Sequence, residues 1–78
     1  MPTVLRAGPY RVYFHSHEPG EPPHVHVDRE RLSAKFWLKH VEKAANFGFS
    51  ERELRVIERI VLENRENLIK AWNEYFRI

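Results

Sequence analysis

The sequence predicts an α+β fold: a small antiparallel sheet of three to four strands packed against a long C-terminal helix plus one short helix. Three observations predict it. Apolar and polar residues alternate with period two through much of residues 10–38, as half-buried strands do. From Val41 onward the apolar residues recur at steps of three and four, the period of a helix with one buried side. Between the first two alternating runs, residues 18–23 hold three prolines and a glycine, which restrict the chain and remove backbone donors.

Taken in order, Val4 and Leu5 open a short apolar run that ends at the turn signal Ala7-Gly8-Pro9. Residues 10–15 are rich in aromatic and β-branched side chains and read as a strand. Tyr10, Val12 and Phe14 share its core-facing side, and Arg11, Tyr13 and His15 share the other. Alternation resumes over residues 24–27, with Val25 and Val27 opposite His24 and His26. Residues 28–31 read as a charged turn. Residues 32–38 form a further strand, with Ala34, Phe36 and Leu38 on the core side and Ser33, Lys35 and Trp37 opposite.

The period then changes. Val41, Ala44, Ala45 and Phe47 fit a short helix closed by Gly48. Ser50 with Glu53 three residues on forms a capping box that announces a second helix. Leu54, Ile57, Val61, Leu68, Trp72 and Tyr75 mark its apolar stripe, widened by Val56, Ile60, Ile69 and Phe76. No Gly or Pro follows Ser50, so the spacing predicts a helix of about 40 Å at ~1.5 Å per residue. That exceeds the width of so small a domain and leaves part of the apolar side for a partner.

The 78 residues make one domain, 1–78, which buries only roughly 60–65% of its unfolded surface. Association is a natural supplement to such a core, with a second copy or another small protein. Cysteine is absent, which excludes disulfides and thiolate zinc sites. No apolar stretch approaches membrane-spanning length, and the first residues lack a long apolar run, so the expectation is a cytoplasmic protein with no membrane partner. The net charge of +2 is spread among interleaved acids and bases. Arg52, Arg55, Arg59 and Arg65 on the long helix make nucleic acid a conceivable partner, yet Glu51, Glu53, Glu58, Glu63 and Glu66 blunt their field. A solvated mixed-charge surface is the simpler account.

Four of the five histidines fall in two His-x-His pairs, His15 with His17 and His24 with His26, around the proline loop. Each pair puts two imidazoles on one face of a strand. His24, His26, His15, His17 and Glu21 are the metal-ligand candidates, suited to zinc or another divalent transition metal. His24-Val25-His26 followed by Glu30 also has the spacing of a cupin metal motif, in a chain too short for that barrel. Without a metal, His24 and His26 are candidate catalytic acid and base for RNA cleavage, with Arg11, Lys35 or Tyr13 stabilising charge. The bland alternative is a pair of polar or loop-holding histidines. Glu18, Arg11, Lys35 and Trp37 are candidate binding residues, since an exposed Trp on a small domain marks an interface.

The run Glu21-Pro22-Pro23-His24-Val25-His26-Val27 lies between Tyr13-Phe14, Ser16 and Glu18 before it and Ala34-Lys35-Phe36-Trp37-Leu38, Phe47-Gly48-Phe49 and Trp72 after it. Together these resemble the bacterial family called domain of unknown function 4160, over essentially the whole chain. His24, His26, Glu18 and Glu21 match its pattern directly, whereas His15 and His17 are less tied to it. The resemblance implies a small cytoplasmic protein, often encoded beside a member of the 2442 family of unknown function in a toxin–antitoxin-like arrangement. The functional expectation is therefore a component of such a module that acts through protein–protein contact, its long helix on a partner and its His-x-His loop the functional edge. A ribonuclease or metal-dependent hydrolase using His24 and His26 is the alternative, and a nucleic-acid-binding regulator a weaker one.

Overall fold

Each strand of the sheet pairs with the one before it. The computed structural model describes residues 3–15 and 20–77. Among these residues β1 (Thr3–Ala7), β2 (Tyr10–Tyr13), β3 (His24–Arg29), β4 (Leu32–Trp37) and β5 (Glu42–Phe47) form one antiparallel sheet in sequence order. Helices α1 (Glu51–Glu63) and α2 (Arg65–Phe76) follow. The α+β class holds, with five strands and two helices in place of the expected three to four strands, one long helix and one short one.

Cross-strand register explains the core. Val12 pairs with Val27 and Val27 with Ala34, while Val25 pairs with Phe36. These side chains and Tyr10 make one apolar surface, and Ile57, Val61 and Leu68 of the helices close it. The faces assigned to strands 10–15 and 32–38 are therefore the observed ones.

Residues 41–47 are the first correction. Glu42–Phe47 form β5 along the edge of β4, and Phe47, expected on a buried helical side, is 67% exposed. Val41, Ala44, Ala45 and Phe47 have helical spacing, but pairing with β4 outweighs that weak preference, with an irregularity in register opposite Lys35 and Phe36. Gly48 closes the strand rather than a helix. Its φ is +107°, and a Cβ there would meet Leu32 Cδ2 at 2.5 Å. Asn46 then holds the turn: its amide donates to the Phe49 carbonyl at 2.9 Å, and its Oδ1 accepts from the Phe49 N–H at 3.0 Å.

The second correction is the length of the helix. Ser50 caps α1 as expected, its Oγ accepting from the Glu53 N–H at 3.2 Å. At Asn64, however, the backbone leaves the helical region (φ −110°, ψ 11°), and the side-chain amide donates to the Ile60 carbonyl at 2.8 Å. Short amide side chains compete for backbone groups in this way, which is why they favour helix ends. Arg65 ties the start of α2 to the end of β4, donating to the carbonyls of Leu38 at 2.7 Å and Lys39 at 2.9 Å. The apolar stripe nevertheless keeps its phase across the break, through Ile57, Val61, Leu68 and Trp72, all buried. The longest dimension of the described residues, 34 Å, is shorter than the expected helix of about 40 Å alone. Val56 and Tyr75, expected within the stripe, are 48% and 45% exposed.

Trp72 packs at the end of the sheet where β2 leaves and β3 enters, with its ring 5.4 Å from Phe14 and 4.3 Å from Phe76. Trp72→Ala is expected to cost about 3–5 kcal/mol in urea unfolding, whereas Val56→Ala changes stability by less than about 0.5 kcal/mol.

Candidate functional site

Period two across three neighbouring strands determines what the side of the sheet away from the helices displays. That side carries Arg11 and Tyr13 of β2, His26 and Asp28 of β3, and Ser33, Lys35 and Trp37 of β4, with His15 just past β2. Register sets Tyr13 beside His26, His26 beside Lys35, and Asp28 between Arg11 and Ser33. Such neighbours lie within side-chain contact.

Tyr13 is the centre of the group. Its ring stacks with His26 at 5.4 Å and 24°, meets His15 edge-on at 5.6 Å, and has the Arg11 guanidinium 4.5 Å from its centroid. The His15 and His26 rings are 4.5 Å apart. These neighbours leave Tyr13 only 6% exposed on the side away from the helices. Its hydroxyl donates to Asp28 Oδ2 at 2.9 Å. Burial first, then this bond to a carboxylate, push the phenol up to about 12, so Tyr13 stays a neutral donor at ordinary pH. Beside this group the Lys35 ammonium lies 4.7 Å from the Trp37 ring centroid and pairs with Glu21 at 2.6 Å. Partly exposed pairs of this kind add little stability. This one does place Glu21 of the proline loop against β4.

His24 differs from the other imidazoles of the face. It has no exposed surface. Its Nδ1 is 2.9 Å from the Pro22 carbonyl. A carbonyl only accepts, so Nδ1 carries a proton and donates to it. The ring lies 5.0 Å from Trp72, 5.2 Å from His26 and 5.8 Å from Trp37. It thus touches the helical layer on one side and the outer face on the other.

With this arrangement established, comparison with known protein families finds that the family described as Domain of unknown function (DUF4160) matches residues 10–73. The chain belongs to the DUF4160 family. No curated protein and no solved structure matches. The matched stretch contains β2 to β5, α1 and most of α2, and with them the aromatic, imidazole and Lys35 groups described above.

In this DUF4160 chain the sequence-predicted residues separate into three groups. Arg11, His15, His26, Lys35 and Trp37 come together on the outer face, with Glu21 joined through Lys35. His24 is in the interior beneath that face rather than on it. The imidazole beside His26 at the surface is therefore His15, and an acid–base pair there would be His15 with His26. His17 and Glu18 lie outside the described residues. Among the described residues, no three His, Cys, Asp or Glu side chains are placed to hold a metal ion. Glu30 sits in the turn after β3, about 20 Å from His24 at ~3.3 Å per residue, so the cupin-like spacing does not assemble a site. On the helices, Arg65 is engaged with the Leu38 and Lys39 carbonyls and Arg59 with Glu63 at 3.3 Å. Among the described residues no helix is long and apolar enough to cross a membrane.

Sequence reasoning missed Asp28, which it placed in a turn. The alternation His24, His26, Asp28 was the available signal, because continuing it by one step puts Asp28 on the face of Tyr13. The contact of Trp72 with His24 had no comparable local signal.

Because the folded phenol of Tyr13 ionises above its usual value of 10.0, its contribution to stability is present below that value and is lost as pH rises toward about 12. Tyr13→Phe is expected to remove an absorbance step from the alkaline phenolate titration. It should also reduce the fall in urea midpoint between about pH 9 and about pH 11.5 relative to the native chain.

Proposed function

We propose that this protein is one component of a toxin–antitoxin-like pair and that it acts by contact through the outer face of its sheet. The observation that supports this reading is the asymmetry of the sheet. The helices close one side, and the other holds Tyr13 against His15, His26 and Arg11, with Lys35 against Trp37 on the neighbouring strand. Tyr, Trp and Arg are the side chains that contribute most at interfaces, and groups already held in place lose less entropy on binding. The family resemblance supplies the partner, a small protein encoded in the same operon; a second copy of this chain is the alternative occupant. The helices recommend themselves less. Val56, Leu62 and Tyr75 are exposed on them, but the long helix expected to hold a partner is two shorter ones.

A second reading, an acid–base ribonuclease or hydrolase, has one observation in its favour: the His15 and His26 rings stand 4.5 Å apart, and Lys35 is paired with His26 across the strands. Imidazoles so placed suit proton transfer at a phosphodiester.

Co-expression of the tagged chain with its operon neighbour, followed by size exclusion with light scattering, tests the first reading. A stoichiometric complex is expected, weakened at least about tenfold by Trp37→Ala and by Arg11→Glu, a loss of about 1.4 kcal/mol. A stable monomer that captures no neighbour overturns it.

A further inference from the structure

The sheet ends at β5, and among the described residues no strand pairs with its outward edge. At alternate residues of an edge strand the N–H and C=O point away from the sheet, where another chain can pair with them. Register with β4 assigns the two faces of β5. Glu42, Ala45 and Phe47 pair with Trp37, Lys35 and Ser33 of the outer face, whereas Lys43 and Asn46 pair with Phe36 and Ala34 of the core side. The irregularity opposite Lys35 and Phe36 is what turns Lys43 toward the helices. Both faces of this edge offer apolar surface. On the outer face Phe47 is exposed. On the helix side a groove of about 220 Å³ lies between β5 and α1, lined by Phe36, Leu54, Lys43, Glu51, Arg55 and Glu58. Its rim holds two basic and two acidic groups and so selects no net charge. Sites for drug-sized ligands take about 300–1,000 Å³, so the groove suits a single side chain rather than a cofactor.

We propose that an extended segment of a partner protein adds to the free edge of β5 as a further strand. One of its apolar side chains enters the groove beside Leu54, and another, on its opposite face, covers Phe47. In strand addition the main-chain bonds supply affinity, and pockets for alternate side chains supply specificity. The edge and the groove meet both requirements. A second copy of this chain fits less well: paired edge to edge, its own β5 would present Lys43 and Asn46 to the groove, and neither is apolar. The irregularity and Lys43 are also devices that keep an edge from pairing indiscriminately, so a segment that fills the groove is favoured over one that brings backbone alone. This surface is centred on β5 and α1, away from the Tyr13 grouping on β2 and β3, and the two sites are independent.

Panning a phage-displayed library of random peptides on the purified full chain provides the test. Enriched sequences are expected to share a large apolar residue, and a fluorescein-labelled synthetic copy of one should bind in anisotropy titrations. Leu54→Gln and Phe47→Ser are each expected to weaken that binding at least about tenfold, whereas Arg6→Gln on the opposite edge leaves it unchanged. Circular dichroism confirms that each variant is folded. A second arm alters only the peptide: N-methylating the amides beside its apolar residue removes donors from the ladder and should weaken binding to the native chain by at least about tenfold as well. No enrichment over uncoated support, equal binding of the N-methylated peptide, undiminished binding to the Leu54 and Phe47 variants, or an equal loss from Arg6→Gln overturns the inference.

Discussion

Burying an imidazole costs free energy unless its nitrogens find partners, and His24 meets part of that demand by donating from Nδ1 to the Pro22 carbonyl. That bond connects β3 to the proline loop just before it. The same ring packs on Trp72 of α2 and on Trp37 and His26 of the outer face. Helix, loop and outer face thus meet at one side chain. A substitution at His24 would disturb the outer face by removing its support, even though the ring itself is not on the surface. Loss of function at this position would on its own describe a positioning residue as well as a catalytic one.

The sheet is secured at a second point. Arg29 at the end of β3 donates to both carboxylate oxygens of Glu53, through Nη2 at 2.9 Å and through Nε, and the Tyr10 hydroxyl donates to the same carboxylate at 2.8 Å. The Arg29 bond, followed by the Tyr10 bond, holds Glu53 below the usual carboxylate range, while burial and then Glu53 raise Tyr10. Glu53 therefore supports the fold above its ordinary pKa and ceases to do so as pH falls through the lowered one. Its side chain serves the sheet rather than completing the capping box, so only the Ser50 half of that motif forms. The helical layer is attached near Arg29 by charge and near His24 by aromatic packing.

This arrangement shows what local sequence can and cannot convey. The strands of residues 10–15 and 32–38 were legible because alternation states directly which side chains share a face. The outer grouping of Arg11 with His15, and of Lys35 with Trp37, followed from the same rule. Residues 42–47 were not legible: an edge strand is stabilised by its neighbour, and its own residues carried a helical spacing. The break at Asn64 was concealed because Ile57, Val61, Leu68 and Trp72 keep one phase through it. His24 shows the limit of the alternation rule. Parity assigns it to the outer face, but at the end of a sheet a helix can close over a side chain that would be exposed further along the strand.

The division of labour between the two faces follows from size. With 78 residues and no disulfide, nearly all the apolar surface that stabilises the chain must lie on the helix-covered side, and the buried residues are concentrated there. The outer face is correspondingly free to hold residues that add little to stability or oppose it. One such group is the buried Asp28 Oδ1, which has no hydrogen-bond partner among the described residues. Aromatic contacts nonetheless fix Tyr13 and His26 against each other. The outer face is thus held in place by contacts among its own side chains, while the helices close the other side.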